Sequence, residues 1–511
     1  MAKRRTQQEL AESAEGRVRK ERARLELAEL KAKQQKVRLS GEATKARRKM
    51  LAIHRAGEVN RLTADWYAPA TSADSAIVPD LARVNARARQ LVRDDAWAKS
   101  IVRSFRRNRI GTGITPSIDD KPYRKAWESW ANDPEQCDIE GRRTFTMIQQ
   151  WASDEEVTVG ECFVVRWMVG GKLKLQCFEF EQLDQYKIGN RDTDNEIRHG
   201  IEVDENGKAV AYWFYKHHPN DIRGLMRPAP MTLESVRVPA HMVCHLYEPE
   251  RVRQTHGISR LAPVARKLRD LTEYDATQLQ VARAEAAIGL IIKGGSDDAD
   301  DPLQMDGIGV AYINQDEEVT GFTPTRPGNT YDPFVKMQVK QCAAGVGSSY
   351  DQIARDFDGG SFSSKRQGAI EDRREFEPMQ QRTITQLCRP VMSDFTYGWY
   401  STNAAESGLY FIEDVPEAGD WQGQGWEWVD PEQQGKGVER MMRLGLTTRT
   451  IEANKLGRTV EKLDEQMAED GTQKTLANLQ PDKRENPAPD SPTTPDDALE
   501  NDAVQGVPDA A

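Results

Sequence analysis

The sequence contains no apolar run approaching the ~20 residues a membrane-spanning helix requires. Its first residues, MAKRRTQQEL, are basic but lack the ~7–15-residue apolar segment of a secretory signal. Neither membrane insertion nor export is expected, and the chain reads as one used in a cytoplasm or in a particle built there. Cysteine is scarce: Cys137, Cys162, Cys177, Cys244, Cys342 and Cys388 lie far apart with no CxxC pair. That excludes a zinc knuckle and a disulfide framework and leaves reduced filler residues. No GxxxxGK[ST] phosphate loop occurs, so any ATP-driven step belongs to another protein. There is no GxSxG elbow either.

Metal-ligating patterns are equally thin. His241, Cys244 and His245 are close in sequence, but VPAHMVCHLY reads as a strand, on which four residues span ~13 Å. Two histidines so placed cannot share one ion at ~2 Å from each. The run Asp154-Glu155-Glu156 and the pair Asp298 and Asp300 could hold Mg²⁺ in a nuclease, but such runs read first as solvated surface or a helix start. No cofactor, metal or catalytic residue is expected.

What the sequence does have is charge, unevenly spread. It is 511 residues long, 38% hydrophobic and 30% charged, with a formal net charge of −10; this suggests two to four folded units with large wet or inter-subunit surfaces. Residues 1–55 carry seventeen Lys or Arg against seven Glu, whereas residues 481–511 carry eight acids, two bases and six prolines. The basic arm is rich in helix formers, with a sparse apolar stripe at Leu25, Leu27 and Leu30. It could touch nucleic acid or remain a solvated arm that orders on assembly. The acidic tail cannot bury enough apolar surface to offset its chain entropy, so disorder is expected.

Between the arms the pattern is mixed α and β. Leu81, Val84, Ala88, Leu91, Val92, Ile101, Val102 and Phe105 fall at helical spacing, with arginines filling most of the other face, until Gly111 and Gly113 stop the helix. A strand is expected at Cys162 to Trp167. From Leu173 to about Tyr247 the signals predict an antiparallel sheet, with DENG at Asp204 to Gly207 as a hairpin turn. HGISRLAPVARKLRDLTEYDATQLQVARAEAAIGLIIK predicts one long helix with Pro263 in its first turn. Short strands follow, and then YDPFVKMQVKQCAAGVGSSYDQIARDF returns as helix. GGSFSSKRQGAIEDRREFEPMQQR then turns from a Gly/Ser loop into a highly charged helix, with Ser364 and Gln367 as a capping box and a kink at Pro378. Trp421, Trp426 and Trp428 precede a helix start at Asp430 and Pro431; they suit packing better than base stacking.

Five blocks, in this order, resemble the portal proteins of tailed bacteriophages, specifically the lambda-type family. They are RARQLVRDDAWAKSIVRSFRRNRIGTGI, CDIEGRRTFTMIQQWASDEEVTVGECFVVRW, RVPAHMVCHLYEPERVRQTHGISRLAPV, GGSFSSKRQGAIEDRREFEPMQQ and the segment from GQGWEWVDPEQQGKGVERMMRLGL onward. The polar Gly435-Lys436-Gly437 departs from the usual pattern.

The resemblance implies a mixed α+β portal-type fold in a ring oligomer, usually a dodecamer. Its parts would be a basic arm (1–58), an α/β wing (59–256), a two-helix stem (257–290 and 332–356) around a small β-containing clip (291–331), a tunnel loop and tunnel helix (357–400), a wing return (401–429), a helical crown (430–475) and a disordered tail (476–511). It implies a channel for double-stranded genome DNA, contacted without sequence preference. Implied partners are the terminase large subunit, the major capsid and scaffolding proteins, and head-completion adaptors. On these residues the tunnel loop would be Gly359, Gly360, Ser361, Ser363, Ser364, Lys365 and Arg366, mobile and weakly polar with two phosphate-seeking cations. Glu371, Asp372, Arg373, Arg374 and Glu375 would make salt bridges between neighbouring subunits, and a net-negative body would keep DNA off the walls. The alternative is a DNA-processing or packaging accessory enzyme using the basic arm.

Overall fold

The computed structural model describes residues 19–22, 24–36, 38–40, 42, 61, 64–65, 67–118, 120–189, 195–221, 234–293, 304–305, 308–313, 331–356, 358, 361–407, 421–426, 431–458 and 460–470. Contacts divide the chain into two units, Met1–Ser72 and Ala73–Ala511. In the first, residues 24–36 are helical, and Leu25, Leu27 and Leu30 are all more than half exposed.

The second unit opens with helices α1 (Ala73–Asp94) and α2 (Ala96–Arg109). The continuous period expected over 81–105 is broken at Asp95, whose extended backbone (φ −107, ψ 130) lets its carboxylate accept the Ala98 N–H at 2.6 Å. An aspartate is among the best N-caps, so the Asp94-Asp95 pair was the available signal. Strand β1 (Thr115–Pro116), helices α3 (Lys121–Asn132), α4 (Pro134–Cys137) and α5 (Phe145–Thr158), and strands β2 (Glu161–Val169) and β3 (Lys172–Phe178) follow. Then come β4 (Glu196–Arg198), β5 (Ile201–Val203), β6 (Ala209–Tyr215), β7 (Ser235–Pro239) and β8 (Val243–Tyr247).

The expected antiparallel sheet is two sheets, ordered β3-β2-β8 and β4-β5-β6-β7. β2 is their junction. Phe163 and Val165 on one face pack with Phe178, Leu183 and Phe214, and Cys162 and Val164 on the other pack with Ile148, Leu175 and Leu246. Covered on both sides, β2 reads as a near-continuous apolar run rather than an alternating one. The DENG turn forms as expected, with Asp204 accepting the Asn206 and Lys208 N–H groups and Gly207 at φ +86.

The expected long helix starts later and ends earlier. Residues 257–259 have no regular structure and 260–264 form turns, α6 spans Ala265–Ala287, and Ile288–Lys293 is strand β9. β-Branched Ile288, Ile291 and Ile292 favour the strand, which pairs in parallel with β11 (Ile308–Ile313), itself antiparallel to β10 (Gln304–Met305). The returning helix is likewise two pieces, α7 (Tyr331–Val346) and α8 (Tyr350–Ala354), separated where Gly347 takes φ +78.

Helix α9 (Phe362–Thr383) runs unbroken through Pro378 into a π-helical turn at Ile384–Cys388 and helix α10 (Arg389–Ser407). The irregularity predicted at Pro378 thus sits beside Pro390 instead, whose ring crowds the Gln386 carbonyl region. Strand β12 (Trp421–Gln422) pairs with β1, and helices α11 (Pro431–Arg443), α12 (Arg449–Lys455) and α13 (Val460–Glu469) end the described chain. Glu465 of α13 bonds Lys121 and Arg124 of α3, tying the last helix to the first half of the unit.

Candidate nucleic-acid interface

The charged segment after the Gly/Ser loop is free at one end and deeply fixed at the other. Ser361, not Ser364, caps α9: its hydroxyl accepts the Ser364 N–H at 3.3 Å, and the Ser364 hydroxyl bonds back to the Ser361 carbonyl at 2.9 Å. The capping box expected at Ser364 and Gln367 is therefore not the start of the helix, which Ser361 caps one turn earlier. Ser361, Ser363 and Ser364 are exposed, whereas Lys365 and Arg366 are half-buried. Gly359 and Gly360 lie outside the described residues.

All five residues expected to ladder between subunits make contacts within their own chain, three of them with other elements. Asp372 is buried and accepts the Ser349 N–H at 3.0 Å and hydroxyl at 2.6 Å. The Arg373 guanidinium lies 5.8 Å from the centre of the Trp426 ring, and Glu375 is 3.4 Å from Arg260. Glu371 and Arg374 pair within the helix at 3.0 Å and face outward. Below them Phe376 and Met379 are buried against Phe105.

The base of α9 sits in an ion network built on the run read as solvated surface or a helix start. It is neither. Asp154 bonds Arg106 at 2.9 Å, Glu155 bonds Arg89 at 2.8 Å, and Glu156 bonds Arg109 at 2.6 Å and Arg382 at 2.8 Å. Arg109 is fully buried and also donates to Thr383 at 2.8 Å. Burial alone would raise the Glu156 pKa; the charges of Arg109 and Arg382 outweigh it and hold the carboxyl below its ordinary value. From Arg382 the signs alternate outward through Glu248, Arg260 and Glu375. A continuous chain of opposite charges thus joins α2, α5, the segment after β8 and α9. The Gln386 side chain, in the π turn, closes a second tie by bonding the Tyr247 backbone at both its N–H and C=O.

A second buried carboxylate, which sequence reading missed, fixes the chain entering α6. Glu161 is fully buried at the start of β2 and bonds His245 at 2.8 Å, His256 at 2.9 Å and the Gly257 N–H at 3.2 Å. Its partners lie 84 to 96 residues away in sequence, which no local pattern reports. The only signal was an acid between apolar neighbours in VGECFVV. Burial would raise its pKa, but the His256 charge and the two imidazole hydrogen bonds hold it near 2. Burial lowers the His245 pKa, whereas Glu161 raises that of His256 despite burial.

Acid sensitivity follows. The stabilisation by Glu161 is complete above its ordinary value and is lost as pH falls toward about 2. His245 adds to that loss, because the unfolded chain takes up its proton first as pH drops. His256 acts oppositely: its contribution is complete below its ordinary value and fades as pH rises through the elevated one. In urea melts, Glu161→Gln is expected to lower stability at neutral pH and to flatten the decline between about pH 5 and pH 3; a wild-type slope in that range would contradict this assignment.

His245 lies on a strand, as expected, and turns toward Glu161, while Cys244 points to the opposite core. Among the described residues one group brings three ligand atoms within 4.8 Å, Glu179, Glu181 and His218. Glu181 is held by two bonds from Arg89. His218 Nδ1 accepts the Asn220 N–H at 3.1 Å, which leaves the neutral ring's proton on Nε2, the nitrogen 3.7 Å from Glu179. That nitrogen then carries a proton where a ligand needs a lone pair. Asp298 and Asp300 lie outside the described residues. Trp421 packs edge-on against Trp127, and Trp426 packs beneath Arg373; Trp428 and Asp430 lie outside the described residues.

Residues 59–380 match the family described as phage portal protein, lambda family. The probable portal protein of Halomonas phage phiHAP-1 is 28% identical over 457 residues, covering 80% of this chain and 84% of that protein. Portal protein B of Escherichia phage lambda is 23% identical over 475 residues, covering 81% and 88%. Among solved structures, a chain from the neck of an empty gene transfer agent particle, computed with C6 symmetry, covers 73% of this chain and 93% of its own length at 10% identity, with a TM-score of 0.43. The resemblance carried by the five sequence blocks thus holds, the DNA-processing enzyme gives way to a structural protein, and the chain belongs to the lambda family of phage portal proteins.

Proposed function

We propose that this chain forms a ring of roughly twelve copies, as cyclic homo-oligomers with one repeated interface do, at one vertex of a phage head, and that genome DNA passes through the ring. The family match carries the reading; the build of α9 supports it. A helix anchored at its base by buried ions and apolar packing, and capped at its tip by Ser361, holds the exposed serines there at a fixed place. Small hydroxyls at Ser361, Ser363 and Ser364 offer DNA only weak contacts, and Lys365 and Arg366 offer contacts blind to sequence. Glu371 and Arg374 are the outward part of the charged stretch and the part suited to a neighbouring subunit. The segments 59–256, 257–290 with 332–356, 291–331 and 430–475 then serve as wing, stem, clip and crown. The terminase large subunit docks during packaging and head-completion adaptors replace it, while scaffolding and capsid proteins surround the wing.

Thiol labelling tests the loop's place. Five of the six native cysteines are buried and the sixth is half-buried, so Ser363→Cys adds the one exposed thiol. It is expected to react with a maleimide in empty heads and to be shielded in DNA-filled heads. Equal reaction in both contradicts a channel-facing loop.

A further inference from the structure

Arg106 and Arg109 are the cations of α2 that enter the ion network, and the rest of its arginine-filled face, conspicuous in the sequence, does not. After Ala96, the exposed positions of this helix are Lys99, Arg103 and Arg107 and nothing else. They recur every four residues, about 6 Å apart along the axis on one face. Among the described residues none of the three has a carboxylate oxygen within salt-bridge reach, and neither has Arg355; the acid beside them, Asp154, is already bonded to Arg106 at 2.9 Å. Arg107 reaches only the neutral Gln352, at 3.1 Å.

Arg355 belongs to the same surface. Ser100 bonds the Ile353 carbonyl at 2.5 Å, which ties α8 to α2, and Arg355 ends α8 in the left-handed region at φ +53. It is exposed, and the Arg107 pKa is lowered first by partial burial and then by the Arg355 charge. Asp351, on the same short helix, acts instead on Asp372. Four cations are therefore gathered with no carboxylate of the described residues within salt-bridge reach, Asp154 acting on Lys99 and Arg103 only through space, and they stand shortly before Ser361 in the chain.

We infer that Lys99, Arg103 and Arg107, continued by Arg355, form a phosphate track that contacts the backbone of double-stranded DNA beside the tunnel loop. The inference rests on the DNA-channel reading above and adds a second contact surface to it. Phosphates suit this face better than a protein partner does. Specific protein interfaces need buried apolar or aromatic anchors, and between these cations α2 exposes none. A polyanion needs only charge at regular intervals.

The test uses the full-length assembled protein, a mixed-sequence DNA duplex of about three helical turns, and the salt dependence of binding. Each phosphate contact contributes about 0.9 to the slope of log affinity against log salt, so the triple variant Lys99→Gln, Arg103→Gln, Arg107→Gln is expected to lower the slope by about 2.7. Arg103→Lys with Arg107→Lys, which keeps the charges, is expected to retain it. Lys365→Gln with Arg366→Gln reports on the tunnel loop separately. An unchanged slope in the triple variant beside a lowered one in the loop variant overturns the track and leaves the channel reading standing. Loss of the slope change in both, or no DNA binding by the wild-type assembly, removes both readings. A triple variant that melts normally but no longer assembles also overturns the track, since these cations would then face acids of a neighbouring copy.

Discussion

Glu156→Ala is expected to cost about 3–5 kcal/mol of folding stability, the range for removing one partner of a buried ion pair. The loss comes less from the missing bonds than from what remains. Arg109 is fully buried and Arg382 is 14% exposed, and Glu156 is the acid they share, with Glu248 a second partner for Arg382. Without it the buried Arg109 guanidinium keeps no carboxylate partner among the described residues. Glu156→Gln keeps the shape and some hydrogen bonding but not the charge, so it should fall between. Removing charge from both sides, with Glu156→Met and Arg109→Met, should recover much of the loss, as apolar replacement of buried ion pairs often does. Urea melts of the four proteins decide it; a loss below about 1 kcal/mol for Glu156→Ala, the value of an exposed pair, would show the network to be incidental. Because the same carboxylate fixes α9, its loss should also loosen the loop at Ser361.

Gly257→Ala should be as damaging for a different reason. A Cβ at Gly257 would stand 2.1 Å from the Gly160 carbonyl oxygen and 2.6 Å from its carbon, and one at Gly160 would stand 2.3 Å from the Ile258 carbonyl carbon on a backbone at φ +101. Backbone presses on backbone, so no side chain can swing aside. Overpacking costs about 1–3 kcal/mol where a core can adjust, and here it also pulls Gly257 from Glu161. Each variant should give little soluble protein, or protein at least ~3 kcal/mol less stable. Gly368→Ala is the matched control: nothing lies within 4 Å of its Cβ in mid-helix, and it should stabilise by about 0.5–1 kcal/mol. Equal behaviour of Gly257→Ala and Gly368→Ala would contradict the close approach that positions α6.

Local signals in the sequence gave the elements well and their joints poorly. The alternation in KLKLQCF and the DENG turn are near-neighbour effects, and β3 and the β5–β6 turn formed where they pointed. Boundaries depended on partners far away: Glu161 holds His256 and Gly257 just before the turns at 260–264, whatever helical spacing surrounds Pro263. The acids at 154–156 illustrate the same limit. A run of three carboxylates has no sequence mark that separates solvent from four different arginines, and only the meeting of α1, α2 and α9 on α5 decides it. The family blocks marked the stretch proposed as the site. Which of its residues face outward was not legible, since Asp372 and Glu375 are claimed by Ser349 and Arg260 through tertiary contacts.

The central claim is a closed ring of this chain, and its mass in solution tests it most directly. Light scattering on the full-length protein, at low and at moderate salt, should return roughly twelve times the 57.7 kDa chain, with a size that no longer grows with concentration. A species that remains one or two chains at every salt and concentration would contradict the account.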